Sequence, residues 1–193
     1  MTFTPLRQIS RFYASSVGKK YVVAITALAL LGFLPVHVIG NLLLFAGPAA
    51  LNEYAHFLQT FGHGMGVWAF RAGLLAAFAV HVVATVQLAR QNRAARAQAY
   101  EVKKPQRSTF ASRSMIVSGL IILSFVVFHI FHFTVKNSAE FQALPKYKVT
   151  AETVIDGKKA EIVESEIYDV HAMVKKGFDC KSTASKGATL FYV

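Results

Sequence analysis

Three histidines, His37, His81 and His129, stand inside long apolar stretches of this chain, where an imidazole is costly and therefore informative. The sharpest case is residues 114–135, SMIVSGLIILSFVVFHIFHFTV: 22 residues with no formal charge, and two histidines, His129 and His132, near the far end. Ionisable groups in such surroundings usually face a bundle interior and mark an ion path, a proton relay or a bound cofactor. Imidazole can serve all three, because one ring nitrogen carries a proton while the other offers a lone pair to a metal. Cysteine occurs once, at Cys180, so a disulfide framework, a CxxC metal site and a CxxCH covalent haem attachment are all excluded. A haem in this chain would be held by ligation and packing alone.

The elements that position these residues follow from composition. Of 193 residues, 54% are hydrophobic and only 16% charged, and the mean hydropathy is +0.41, too apolar for a soluble domain. The expected fold is an all-α transmembrane helical bundle. Uncharged or nearly uncharged runs place three spans at about residues 21–45, 67–89 and 114–135, each long enough for a hydrocarbon core of ~30 Å. Pro35 precedes His37 and frees the carbonyl of Leu31, which can kink the first span. The second span carries Ala69, Ala72, Ala76, Ala77, Ala79 and Ala84, which leave room beside its backbone without weakening the helix.

Charge sets the topology. Residues 1–20 hold Arg7, Arg11, Lys19 and Lys20 and no acid, the connection at 47–66 holds no basic residue, and the segment 90–113 holds seven against the single Glu101. Basic segments stay on the cytoplasmic side, so a multi-pass protein with a cytoplasmic N-terminal flank is expected. A mitochondrial presequence is the competing reading of residues 1–20, and the length of the following apolar run favours the flank. The same topology accounts for the net charge of +11 without a nucleic-acid partner. Leu51, Ala55 and Leu58 share a helical face, suggesting a short interfacial helix, with His56 and His63 read as interfacial or loop histidines. Residues 136–187 form a polar outer loop. In it 147–155 and 158–167 flank Asp156-Gly157, a hairpin signal, and a short amphipathic piece follows at 170–174 with His171 read as a surface residue. At 188–193 the sequence turns apolar again, as the start of a fourth helix.

Depth sorts the histidines. His37 is 17 residues past Lys20 and His129 is 16 past Arg113, which puts them ~25 Å and ~24 Å from the basic boundary at ~1.5 Å per residue. His81 is nine residues before Arg90 on a helix running the other way, or ~14 Å from the same boundary. His132 is rotated about 60° from His129 on an α-helix, so the two cannot share one ligand axis. Two imidazoles at one level on different helices are what axial ligation of haem iron requires. A haem-free proton path through His37, His81 and His129 stays open on these grounds.

The string SSVGKK…ALALLGFLPVHVIGNLLLF, followed by LNEYAHF, resembles the start of the cytochrome b membrane-anchor subunit of bacterial succinate dehydrogenase and fumarate reductase, the single-chain type with five helices and two haems. HVVATVQLARQNRAAR at 81–96 and the run at 114–135 resemble that family's second and third helices, and YDVHAMVKKGF resembles its segment before helix four. The resemblance implies that His37, His81 and His129 are axial ligands of haem b iron. It also implies a quinone substrate, menaquinone, and partner flavoprotein and iron–sulfur subunits in a bacterial inner membrane, with the dicarboxylate chemistry done by those partners. A five-helix member needs two further spans after residue 186, and the chain ends at Val193, so of the two haems of the full-length protein one is expected to be fully ligated in this chain, and the second ligand of His81's haem some 10–15 residues further on. Arg71, at the outer start of span two, is the candidate for a haem propionate. Glu53, the only acid in the first 100 residues, is the candidate for proton exchange at an outer quinone site. A haem b anchor of another membrane redox enzyme is the near alternative.

Overall fold

The computed structural model describes residues 5–96, 98, 101, 107–135, 139–155 and 158–178. Helices α1 (Pro5–Ala14), α2 (Ser16–Leu42), α3 (Pro48–Thr60), α4 (Met65–Ala94) and α5 (Phe110–His129) are followed by α6 (Ala139–Gln142), strands β1 (Lys146–Ile155) and β2 (Lys158–Tyr168), and α7 (Val170–Gly177). Three helical stretches among the described residues are long and apolar enough to cross a membrane: Ser16–Ala46, Met65–Ala94 and Phe110–Val135. The first includes a 3-10 turn at Leu43–Ala46, the third a π-helical end at Ile130–Val135. They begin or end beyond the apolar runs, because a helix has no reason to stop where lipid gives way to headgroup: α2 starts at Ser16 and α4 runs on through Arg90 and Arg93. Their large side chains are mostly uncovered by protein, as with Leu28 at 68% and Ile121 at 65% exposed. Lipid is the solvent that suits such surfaces.

The contacts divide the chain into two units. In the first, residues 1–42 with 57–103, α2 packs along α4 and α1 folds against α2. Ala84 is fully buried in this unit, so the expected thinning of the second span by alanine includes one position with no exposed surface. α2 continues as α-helix through Pro35. The turn into α4 passes through Gly62, His63 and Gly64, all at positive φ, with His63 at 57°. Histidine is among the residues that tolerate this region, so His63 has a backbone role in a turn.

The second unit comprises residues 43–56 and 104–193. Thr109 caps α5, its hydroxyl accepting from the Ser112 backbone N–H at 3.2 Å. β1 and β2 pair antiparallel, Lys146 opposite Tyr168 and Ile155 opposite Lys158, with an irregularity between Glu152 and Val154. The polar segment thus adds a two-stranded sheet to an otherwise helical chain. The turn expected at Asp156-Gly157 and the helix start expected at 188–193 lie outside the described residues.

The face of α3 that carries Leu51, Ala55 and Leu58 is covered unevenly. Leu51 is buried at 4% and its neighbour Asn52 at 0%, while Leu58 is 39% exposed. Asn52 donates to the Asp169 carboxylate (3.0 Å) and accepts from the His171 backbone N–H (3.0 Å), so both ends of one amide tie α3 to the start of α7. Asp169 also caps α7 by accepting from the Ala172 N–H at 2.8 Å. His171 is half-buried at this junction rather than standing on the surface.

Candidate functional site

In the first unit His81 is half-buried on α4 and its Nδ1 lies 3.0 Å from the Thr26 hydroxyl of α2. Thr26 has one hydroxyl proton, and its oxygen sits 2.7 Å from the Val22 carbonyl and 3.1 Å from that of Val23. The short back-bond to Val22 uses the hydroxyl proton, as threonine does in helices. The Thr26 oxygen is then placed to accept from His81, an arrangement in which Nδ1 donates and, in the uncharged ring, Nε2 keeps its lone pair. That tautomer suits Nε2 ligation of a metal, and a hydrogen bond on the other nitrogen is what fixes ring orientation in such sites. Thr26 carried no signal in the sequence. A hydroxyl in an apolar helix is ordinary, and only the register of α2 on α4 brings it to His81.

The register also places Arg71. The two helices run antiparallel, and Thr26 meets His81; eleven residues on from Thr26 is His37, and eleven back from His81 is Phe70, next to Arg71. His37 and Arg71 are therefore at about one level on neighbouring helices, ~16 Å along the axis from His81. The guanidinium of Arg71 lies over the Trp68 ring, 5.1 Å from its centroid. The His37 ring is tilted against Phe33 one turn earlier, centroids 5.0 Å apart, and the His37 carbonyl accepts from the Asn41 side-chain amide at 2.7 Å.

In the second unit His129 is held differently. It closes α5, stacked on Phe125 at 5.6 Å and 15° and tilted against Phe133 at 5.4 Å. The chain then passes into the π-helical turn. A π-turn is wider than an α-turn, so each residue rotates by less than 100°. Three such steps carry His132 further from the direction of His129 than the 60° expected for a regular α-helix. Its ring contacts Phe128 (5.5 Å), Phe133 (4.2 Å) and Phe141 (5.6 Å). Gly177 of α7 closes on the same cluster, since a Cβ there would meet the Phe133 and His132 rings at 3.1–3.3 Å. His132 thus belongs to an aromatic knot at the far end of α5. Glu53 is exposed on α3, beside the buried Asn52.

Among the described residues no three histidine, cysteine or acidic side chains converge to hold a metal ion by themselves. What the chain provides is single imidazoles, each set by a different neighbour. A haem needs two such axial donors, the porphyrin supplying the other four. On the chemistry of the donor set, His81 with its Nδ1 against Thr26, His37 tilted against Phe33 and His129 stacked on Phe125, these imidazoles are of the kind that group takes as axial donors. Comparison with protein-family models, with curated proteins and with solved structures finds no match to the chain.

Proposed function

We propose that this chain is a haem b membrane anchor of a succinate:quinone oxidoreductase, passing electrons between an iron–sulfur subunit and membrane quinone. The observation that supports the reading is the Thr26–His81 contact, which anchors one nitrogen of an imidazole in an apolar helix and suits ligation through the other. Haem b would supply a one-electron carrier within the hydrocarbon layer. His81 would ligate the inner haem. His37 and His129 would ligate the outer one, a pairing that rests on their matched depth along their own helices. Arg71, level with His37, would turn from Trp68 to a propionate. Glu53 would exchange protons with quinone, menaquinone by the family resemblance. The basic segment at 90–113 would lie on the cytoplasmic side of a bacterial inner membrane and receive the flavoprotein and iron–sulfur subunits.

The test is optical. Protein purified from its own membranes is expected to be red, with a reduced-minus-oxidised difference spectrum of haem b. A colourless preparation expressed at normal level overturns the reading and leaves the histidines to a proton path.

A further inference from the structure

Helix α1 is amphipathic, and its apolar side is uncovered. Counting 100° per residue, Ile9 and Phe12 lie within about 60° of each other, while Arg7 and Arg11 lie roughly opposite. Ile9 is 65% and Phe12 50% exposed, and Arg7, Ser10 and Arg11 are exposed as well.

The joint between α1 and α2 fixes where this helix can go. The Lys19 side chain, 5% exposed, folds back to donate to the Tyr13 and Ala14 carbonyls at 3.0 and 3.1 Å, which are the groups a helix C-terminus leaves without partners. Its ammonium also lies 5.1 Å from the centre of the Tyr13 ring. The Gly18 backbone N–H donates to the Ser15 hydroxyl at 2.9 Å, and a Cβ on Gly18 would collide with the Phe12 carbonyl. Helix α1 is thus bent off α2 and pinned there. Its last turn reaches α4, where the Tyr13 hydroxyl donates to Gln87 at 3.0 Å and Gln91 donates to the Ala14 carbonyl at 3.5 Å.

Gln87 and Gln91 bracket Arg90, at the basic end of the α2–α4 pair. A helix pinned at that level, off the axis of its own span, lies where hydrocarbon meets headgroups. Its apolar side is continuous with the uncovered side of α2, since Phe12 packs on Tyr21 with centroids 6.1 Å apart, and Tyr21 and Val17 are themselves 59% and 55% exposed. A protein partner covering Ile9 and Phe12 would also have to sit on that lipid-facing surface of the span.

We propose that α1 is an in-plane membrane anchor that binds anionic lipid. Ile9 and Phe12 enter the acyl layer, and Arg7 and Arg11 lie among phosphate headgroups, the arrangement expected of basic amphipathic helices. Lys19 and Gly18 hold the bend. The inference does not depend on haem.

The test uses full-length protein carrying Cys180→Ser, spin-labelled through Ile9→Cys or Ser10→Cys, in nanodiscs of phosphatidylcholine alone or mixed with phosphatidylglycerol. The label at 9 is expected to be open to oxygen and closed to an aqueous nickel chelate, the label at 10 the reverse, with the contrast larger in the anionic discs. Combining Arg7→Glu with Arg11→Glu is expected to abolish the gain from phosphatidylglycerol. Equal nickel access at 9 and 10 in both lipids overturns the proposal, as does a label at 9 closed to both reagents, the sign of a protein cover. An unchanged lipid effect in the double variant overturns the anionic part. Should a labelled variant fold poorly, hydrogen exchange of unlabelled protein decides the same point, α1 amides being expected to exchange more slowly in anionic discs and equal exchange overturning it.

Discussion

His81 and His129 are both imidazoles in apolar helices, and the chain restrains them by opposite means. His81 is held through one atom, a hydrogen bond between its Nδ1 and a hydroxyl on a neighbouring helix. His129 makes ring contacts within its own helical stretch, stacked on Phe125 and tilted against Phe133, at the point where that helix widens into a π-turn. The first restraint is directional and local. The second positions the ring plane. The difference teaches that an intramembrane histidine can be set either by a neighbouring helix or by its own, and that only the second kind shows in a linear sequence.

The largest effects come from removing the rings themselves. His81→Ala is expected to eliminate one haem b component, and His37→Ala or His129→Ala to eliminate the other, as read in reduced-minus-oxidised spectra of membranes with the protein level checked by immunoblot. His132→Ala should spare both, because its ring serves the knot with Phe128, Phe133 and Phe141. Loss of the component with His132→Ala in place of His129→Ala would reverse the assignment on α5.

A smaller effect separates the two restraints. Thr26→Val removes the hydroxyl that accepts from His81, and loss of such a partner typically costs about 10–100-fold in metal affinity. Haem is expected to be lost from the His81 component alone, at a rate measurable by transfer to apomyoglobin, with Thr26→Ser restoring retention. No change on Thr26→Val would mean that packing along α2 and α4 is enough to orient the ring. Phe125→Leu is the matching change at His129. It is expected to alter the spectrum less, because Phe133 still bounds the ring.

Much of this architecture was legible in the sequence, for reasons that differ by element. The three spans were readable because membrane helices must be continuously apolar over a fixed length, whatever they pack against. The two strands announced themselves through β-prone runs around Asp156-Gly157, a strictly local signal. Thr26 and Asn52 were not readable. Each is an ordinary polar residue until tertiary structure brings His81 or Asp169 and His171 to it. The angle between His129 and His132 was not readable for a related reason, since 100° per residue holds only while the helix stays α, and the π-turn is not written in IFHFTV. The helix at Pro5–Ala14 hid behind a charge count: four basic residues read as a flank, and the opposition of two of them, Arg7 and Arg11, to Ile9 and Phe12 emerges only once the segment is helical.

Asn52 offers the next smaller test. Its amide is fully buried and serves two partners, so Asn52→Ala leaves the half-buried His171 N–H and Asp169 carboxylate with one bond fewer each. An orphaned buried group costs about 1–3 kcal/mol. The local nature of the tie predicts where that loss shows: trypsin should cut faster after Lys175 or Lys176 on α7, while haem content stays at the level of the unaltered protein. Equal protection of that helix would mean that the contacts of Gly177 with Phe133 and His132 hold α7 without help from α3.

The smallest expected effect belongs to Glu53, and it bears on whether the same junction serves quinone. Glu53 follows Asn52 on α3, so the amide that fixes the helix also fixes the position from which the carboxylate reaches out. Quinone reduction takes up two protons with two electrons, and a carboxylate at the edge of the hydrocarbon layer can pass them between water and ring. Because Glu53 is exposed, water can do part of the same work, and the gain from a positioned group falls well below the 10²–10⁴-fold typical of buried general acids and bases. Glu53→Gln is therefore expected to slow quinone-linked turnover only about two- to tenfold, with haem content and protease resistance unchanged. Asn52→Ala should show the same slowing for a different reason, through a carboxylate present but poorly placed. If Glu53→Gln has no effect while Asn52→Ala does, the junction positions something other than this carboxylate. If neither alters turnover, the tie between α3 and α7 is structural alone.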